Sequence, residues 1–146
     1  MEQEQEIKRE ISQEVAEGLF DDFLGYYGIK FSHIELEDGQ AAAATLRNML
    51  VDAIKDGLID IQINESGLQV IHHLMFKTEN NDSIIYRDKT VKANLAMDKI
   101  TGKNKNTERQ HAYMAALAGV PAVEFLNLRG VDATIFSRIS TVFSMV

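Results

Sequence analysis

Residues 59–87 read Ile-Asp-Ile-Gln-Ile-Asn-Glu-Ser-Gly-Leu-Gln-Val-Ile-His-His-Leu-Met-Phe-Lys-Thr-Glu-Asn-Asn-Asp-Ser-Ile-Ile-Tyr-Arg, and this stretch decides the fold class. Ile59, Ile61 and Ile63 alternate with Asp60, Gln62 and Asn64, the period-two pattern of a strand with one buried face. Asn64-Glu65-Ser66-Gly67 is turn chemistry, and a second strand follows from Leu68 to Phe76 or Lys77. Thr78-Glu79-Asn80-Asn81-Asp82 is another turn, leading into a third strand at Ile84-Ile85-Tyr86-Arg87. Three strands joined by short turns predict an antiparallel meander. Such a sheet needs helices on one face, so the chain is expected to be α+β, with four to six helices and a helical last third.

On the amino-terminal side, Ile7, Ile11, Val15, Leu19 and Phe23 recur every four residues. Phe20, Leu24 and Tyr27 widen that stripe into an amphipathic helix. Gly18 interrupts the pattern, and Gly25 or Gly28 ends it. Residues 29–36 alternate imperfectly and read as a weak strand. Asp38 offers an N-cap for a helix over 40–56, whose apolar side is Leu46, Leu50, Ala53 and Ile54, with Gly57 at the C′ position.

On the carboxyl-terminal side, Thr90 caps a helix to about Ile100 with Val91, Leu95 and Ile100 facing in. A polar loop over 101–106 follows. Thr107 and Gln110 form a capping box for a helix that ends at Gly119. Pro121, the only proline, opens a short helix. Asp132 caps a last helix that carries Ile135, Phe136, Ile139, Val142, Phe143 and Val146 on one side. The chain divides into a helical extension with an acidic head (1–58) and a meander with carboxyl-terminal helices (59–146), expected to form one unit.

The net charge of −7 is unevenly placed: residues 1–40 hold eleven acids against Lys8, Arg9 and Lys30. That head repels phosphates. The basic stretch lies at 87–109, with Arg87, Lys89, Lys92, Lys99, Lys103, Lys105 and Arg109, but interleaved stacking aromatics are missing from it. There is no cysteine, so thiolate metal sites, disulfides and cysteine nucleophiles are excluded. His72 and His73 are neighbours in a strand and point to opposite faces, and His33 and His111 stand apart from them. The nucleophile elbow, Walker and dinucleotide motifs are absent. These readings predict no enzyme, no cofactor and no metal. With no secretory leader and no apolar run long enough to span a bilayer, a cytoplasmic protein is expected.

Residues 59–143 resemble the phage tail assembly chaperones, small proteins encoded just before the tape measure protein. The hairpin is Ile59 to Phe76. Ile84-Ile85-Tyr86-Arg87-Asp88-Lys89-Thr90 resembles the family's strand-to-helix junction, although a proline usual there is replaced by Asp88 or Lys89. Ala116-Leu117-Ala118-Gly119-Val120-Pro121 matches a Leu-x-Gly-x-Pro-like turn. Leu126-Asn127-Leu128-Arg129-Gly130-Val131-Asp132 resembles the approach to the last cap. The first 58 residues have no counterpart in compact members.

The resemblance implies a non-catalytic chaperone in the cytoplasm of a bacterial host, coating the tape measure protein until tail tube subunits polymerise. The chain would form a homo-oligomer and bind neither nucleic acid nor membrane. Ile135, Phe136, Ile139, Val142 and Phe143 are the expected partner-binding residues. Two alternatives stand beside it: a virion structural component (a tail connector or terminator subunit) and a small nucleic-acid-binding regulator.

Overall fold

A computed structural model describes residues 11–33, 39–88 and 91–145. Strands β1 (Ile59–Asn64), β2 (Gly67–His73) and β3 (Ser83–Arg87) form one antiparallel sheet in the order β1-β2-β3. The first turn closes as expected: Asn64 Oδ1 accepts the Ser66 N–H at 2.8 Å, and Gly67 takes a left-handed φ of 109°. The predicted α+β class is the observed one, with helices α1 (Gln13–Tyr26), α2 (Gln40–Lys55), α3 (Val91–Asp98), α4 (Asn106–Ala118) and α5 (Val131–Met145). Two 3-10 segments, Phe31–His33 and Ala122–Asn127, complete the described elements.

Alternation assigns the sheet's two faces. Ile59, Ile61, Leu68, Val70, His72, Ile84 and Tyr86 point inward and are buried. Asp60, Gln62, Gln69, Ile71, His73, Ser83, Ile85 and Arg87 point outward, and none of them is fully buried. His72 and His73 therefore lie on opposite faces, as their adjacency requires.

One core serves the described residues. Phe20, Phe23 and Leu24 of α1, Leu50 and Ile54 of α2, Met114 and Leu117 of α4 and the apolar side of α5 join the inner sheet face in one cluster. The ring of Phe143 lies 5.3 Å from Phe23 and 6.2 Å from Tyr86, so the last helix bridges the amino-terminal extension and the sheet. The described parts of 1–58 and 59–146 share this interior.

Local signals were overridden in several places. Gly18 does not break α1. Residues 31–33 form a 3-10 turn where a strand was expected, and the rest of that expected strand lies outside the described residues, as do Ile7, Asp38 and Thr90. Helix α2 starts after Gly39 without a side-chain cap. Helix α4 starts after Lys105 without a side-chain cap, and Gln110 donates to the Ser140 carbonyl at 3.2 Å instead of closing a capping box. Leu95 was expected inward; it is exposed, and Ala93 takes the buried position of α3.

Tyr86 sits at the middle of the core with its ring fully buried, and its hydroxyl meets no hydrogen-bond partner among the described residues. Burial alone pushes its pKa up. A desolvated, unpaired hydroxyl costs about 1–3 kcal/mol, whereas the ring supplies the packing. Tyr86→Phe is expected to raise the urea midpoint by an amount equivalent to about 1 kcal/mol at unchanged m-value. A drop would show that the hydroxyl is satisfied in solution.

Candidate functional site: an apolar patch beside the last two helices

The turn after α4 builds the site. Gly119 adopts φ 67° and its N–H reaches the Ala115 carbonyl at 2.8 Å, ending the helix in the left-handed conformation glycine tolerates best. Pro121, at φ −63°, then directs the chain into the 3-10 helix Ala122–Asn127. Three residues make one turn of such a helix, so positions i and i+3 share a face. Phe125 faces the core and stacks on Phe136 at 4.4 Å between ring centres. Glu124 is buried beside it and accepts hydrogen bonds from Asn80 (2.6 Å) and Asn127 (3.4 Å). Val123 and Leu126 share the remaining face and point outward. They are 60% and 69% exposed, the two most exposed large apolar side chains among the described residues.

The following loop is clamped. The Arg129 guanidinium lies over the Phe76 ring at 4.7 Å. Gly130 adopts φ 59°, and a Cβ there would stand 3.3 Å from the same ring, so neither the conformation nor the space admits a side chain without adjustment. Asp132 was expected to cap α5. It lies in the first turn of the helix, and its carboxylate instead accepts the backbone N–H groups of Met75 (2.9 Å) and Phe76 (2.8 Å). His72 Nε2 stands 3.3 Å from Oδ1, close but off the line of a hydrogen bond, and both side chains are sealed from water. Burial alone would push the Asp132 pKa up. The His72 ring and the Phe76 and Met75 N–H groups outweigh it, and the carboxyl is held below its usual value.

A cleft of about 520 Å³ opens between α4 and α5. It is lined by Asn106, Thr107, Gln110, His111, Phe136, Ser137, Ser140, Thr141 and Ser144. His111 and Phe136 also flank Phe125, at 6.1 and 4.4 Å, on the core side of the 3-10 helix. Hydroxyls dominate the lining, and two of them bond back to their own helix: Thr141 to the Ser137 carbonyl and Ser144 to that of Thr141. No carboxylate lines the cleft, and among the described residues no three His, Asp or Glu side chains gather at metal-ligand distances.

The five residues expected to grip a partner are placed differently. Ile135, Phe136, Ile139, Val142 and Phe143 are all buried, the last two completely. The sheet, α1 and α2 cover most of that stripe, and Phe125 and His111 pack on Phe136, so in this conformation the stripe is core. Val123 and Leu126 were not singled out from the sequence, although their spacing around a core-facing Phe125 carried the signal. The basic stretch is partly spent locally: Arg109 donates to the Ile100 carbonyl (2.8 Å), the Gly102 carbonyl (2.7 Å) and Asn106 (3.1 Å). No helix among the described residues is long and apolar enough to cross a membrane.

No family model, curated protein or solved structure matches this chain.

The Asp132 clasp carries a signed pH dependence. A carboxyl with a depressed folded-state pKa contributes stability that is fully present above its unfolded pKa, about 3.9. That contribution is lost as pH falls through the lower folded-state value. Asp132→Asn is expected to lower stability at pH 7 by about 2 kcal/mol and to flatten the loss of stability below about pH 4. Urea titrations between pH 2 and 7 measure both effects; an acid limb as steep as the parent's would contradict the assignment.

Proposed function

We propose that this chain is a non-catalytic tail assembly chaperone that holds an amphipathic helix of the tape measure protein. The observation that carries the proposal is the exposure of Val123 and Leu126 on a rigidly held 3-10 helix. The turn Ala116–Pro121 and the approach 126–132, which carry the family resemblance, are the segments that build this patch. We therefore assign the holding surface to Val123 and Leu126, and not to the buried face of α5.

Magnitudes shape how such a chaperone works. Burying a valine and a leucine contributes about 1.5–3 kcal/mol each before ordering costs. A Kd of 1 mM corresponds to about −4 kcal/mol. One patch alone thus holds a helix weakly, and a long client with repeated apolar stripes is held by many copies acting together. Weak individual contacts also let go when tube subunits compete for the same stripe. A nucleic-acid role has less support, because Arg109 is engaged within its own loop and Lys105 stands near Glu108.

Co-expression with a phage tape measure protein tests the proposal. Val123→Asp combined with Leu126→Asp is expected to leave the circular dichroism and Tm nearly unchanged, since both side chains are in water already. The soluble fraction of the client should fall at least tenfold. A folded double variant that solubilises the client as well as the parent does would overturn the proposal, as would finding the chain in mature particles.

A further inference from the structure

The hydrogen-bond parity of the sheet separates its two edges. His73 donates to the Leu58 carbonyl at 2.8 Å and Leu74 to the Asp82 carbonyl at 3.0 Å. With the strand registers, these bonds direct Val70 and His72 toward Tyr86 and Ile84 of β3. Ser83, Ile85 and Arg87 consequently turn their backbone N–H and C=O groups away from the sheet. No backbone partner meets them among the described residues; the Ile85 carbonyl has only the Arg87 guanidinium, at 3.5 Å. On the opposite edge, β1 turns Ile59, Ile61 and Ile63 outward in the same sense; Ile59 and Ile61 are 3% and 6% exposed, packed under α1 and α2, and only Ile63, beside the turn, is open at 45%. Ser83 and Ile85 are only half-buried and Arg87 is exposed. Surface therefore remains along the outward-turned residues of β3, although α4 packs against the same strand.

We propose that β3 pairs with β3 of a second copy of this chain, antiparallel about a twofold axis through Ile85, joining two three-stranded sheets into one. The register follows from the trio that faces outward. Centred on Ile85, Ser83 meets Arg87 of the second copy, Ile85 meets Ile85, and Arg87 meets Ser83. Every outward N–H and C=O of the trio then finds a partner. An axis one residue earlier or later strands part of the trio.

Two further features suit a second copy. Ile71 lies beside Ile85 on the outer face, so the axis lines up four half-buried isoleucines across the joined sheet and removes their apolar surface from water. Arg87 faces a serine, so no like charges meet within the paired stretch. Asp82 and Asp88 come opposite each other at its ends. There Asp88 is already held by the hydroxyls of Tyr26 (2.7 Å) and Tyr27 (3.0 Å), which limits the repulsion. Strand edges left open are usually guarded by lysine, proline or a bulge; Ser-Ile-Ile-Tyr-Arg has no such guard before its last residue.

The test uses the chain alone, so its outcome is independent of the tape measure reading. Sedimentation equilibrium of the full chain is expected to show a concentration-dependent average mass approaching twice that of one chain. Ile85→Lys, which sets two ammonium groups against each other at the axis, should return it to a single chain mass with the circular dichroism spectrum retained. The parent has no cysteine, so Ile85→Cys gives a unique thiol. A short bismaleimide should link it into dimers at least tenfold more efficiently than it links Gln62→Cys, on the far edge of the same face. A monomer at all concentrations, a dimer that survives Ile85→Lys, equal linking by Gln62→Cys, or an edge that takes only a foreign strand would each overturn the proposal.

Discussion

The carboxylate of Asp132 holds the end of β2 to the start of α5. Past His73 the ladder stops, and the N–H groups of Met75 and Phe76 need acceptors. One side chain, some 56 positions later in sequence, supplies both from a site with no water contact. Burying a carboxylate costs several kcal/mol, and two charge-assisted backbone bonds with a nearby imidazole offset that cost. Everything downstream depends on this placement. With its first turn pinned to the sheet, α5 lays Ile135, Ile139, Val142 and Phe143 across the inner face, where Phe143 meets both Tyr86 and Phe23. The amino-terminal helices pack directly on β1, and the helix that the carboxylate positions ties them to the rest of the core.

The same clasp explains why the exposed patch keeps its shape. Phe125 inserts between Tyr86, His111 and Phe136, Glu124 is held by two asparagines, and Arg129 covers Phe76. A 3-10 helix has poor hydrogen bonds of its own, and here tertiary contacts on one side hold it. Val123 and Leu126 are consequently presented in a fixed geometry. A rigid apolar pair loses less entropy on binding than a flexible one would, which matters when the contact itself is small.

How much was legible in the sequence follows from which signals are local. Alternation in 59–64 and 84–87 exposed the meander, because a strand's period of two survives any tertiary context. The stripe on α5 was equally visible, but periodicity states only that a face is apolar and never what covers it. Core and docking surface share one pattern, so Ile135 to Phe143 were readable as a face and unreadable as a destination. Asp132 illustrates the same limit: an acid at a helix start looks like a local cap, and only the arrival of Met75 and Phe76 redirects it. Gln110 left its capping box for a carbonyl on α5 for the same kind of reason. Val123 and Leu126 were obscured because the segment after Pro121 was read as a short ordinary helix, in which residues one turn apart do not align as they do at three per turn.

What the core leaves over is then a physical question about unsatisfied surface. The inner sheet face is covered by four helices, and two of them cover the β1 edge at Ile59 and Ile61. Two kinds of surplus remain: apolar side chains in water at 123 and 126, and unpaired backbone groups along β3. They call for different partners. Side chains without backbone donors suit a helix, whose own hydrogen bonds are internal and whose apolar stripe needs only contact. An open strand edge suits another strand, because only a strand offers donors and acceptors at the matching spacing. A molecule with one surplus of each kind can use its strand edge for itself and its apolar patch for a client. Joining two copies sets two weak patches on one body, and a client that engages the first meets the second at a raised effective concentration. On the proposed chaperone reading, the small size of each patch would cease to be an obstacle: affinity would come from the number of copies along the client, and release would require only that a competitor displace them one at a time.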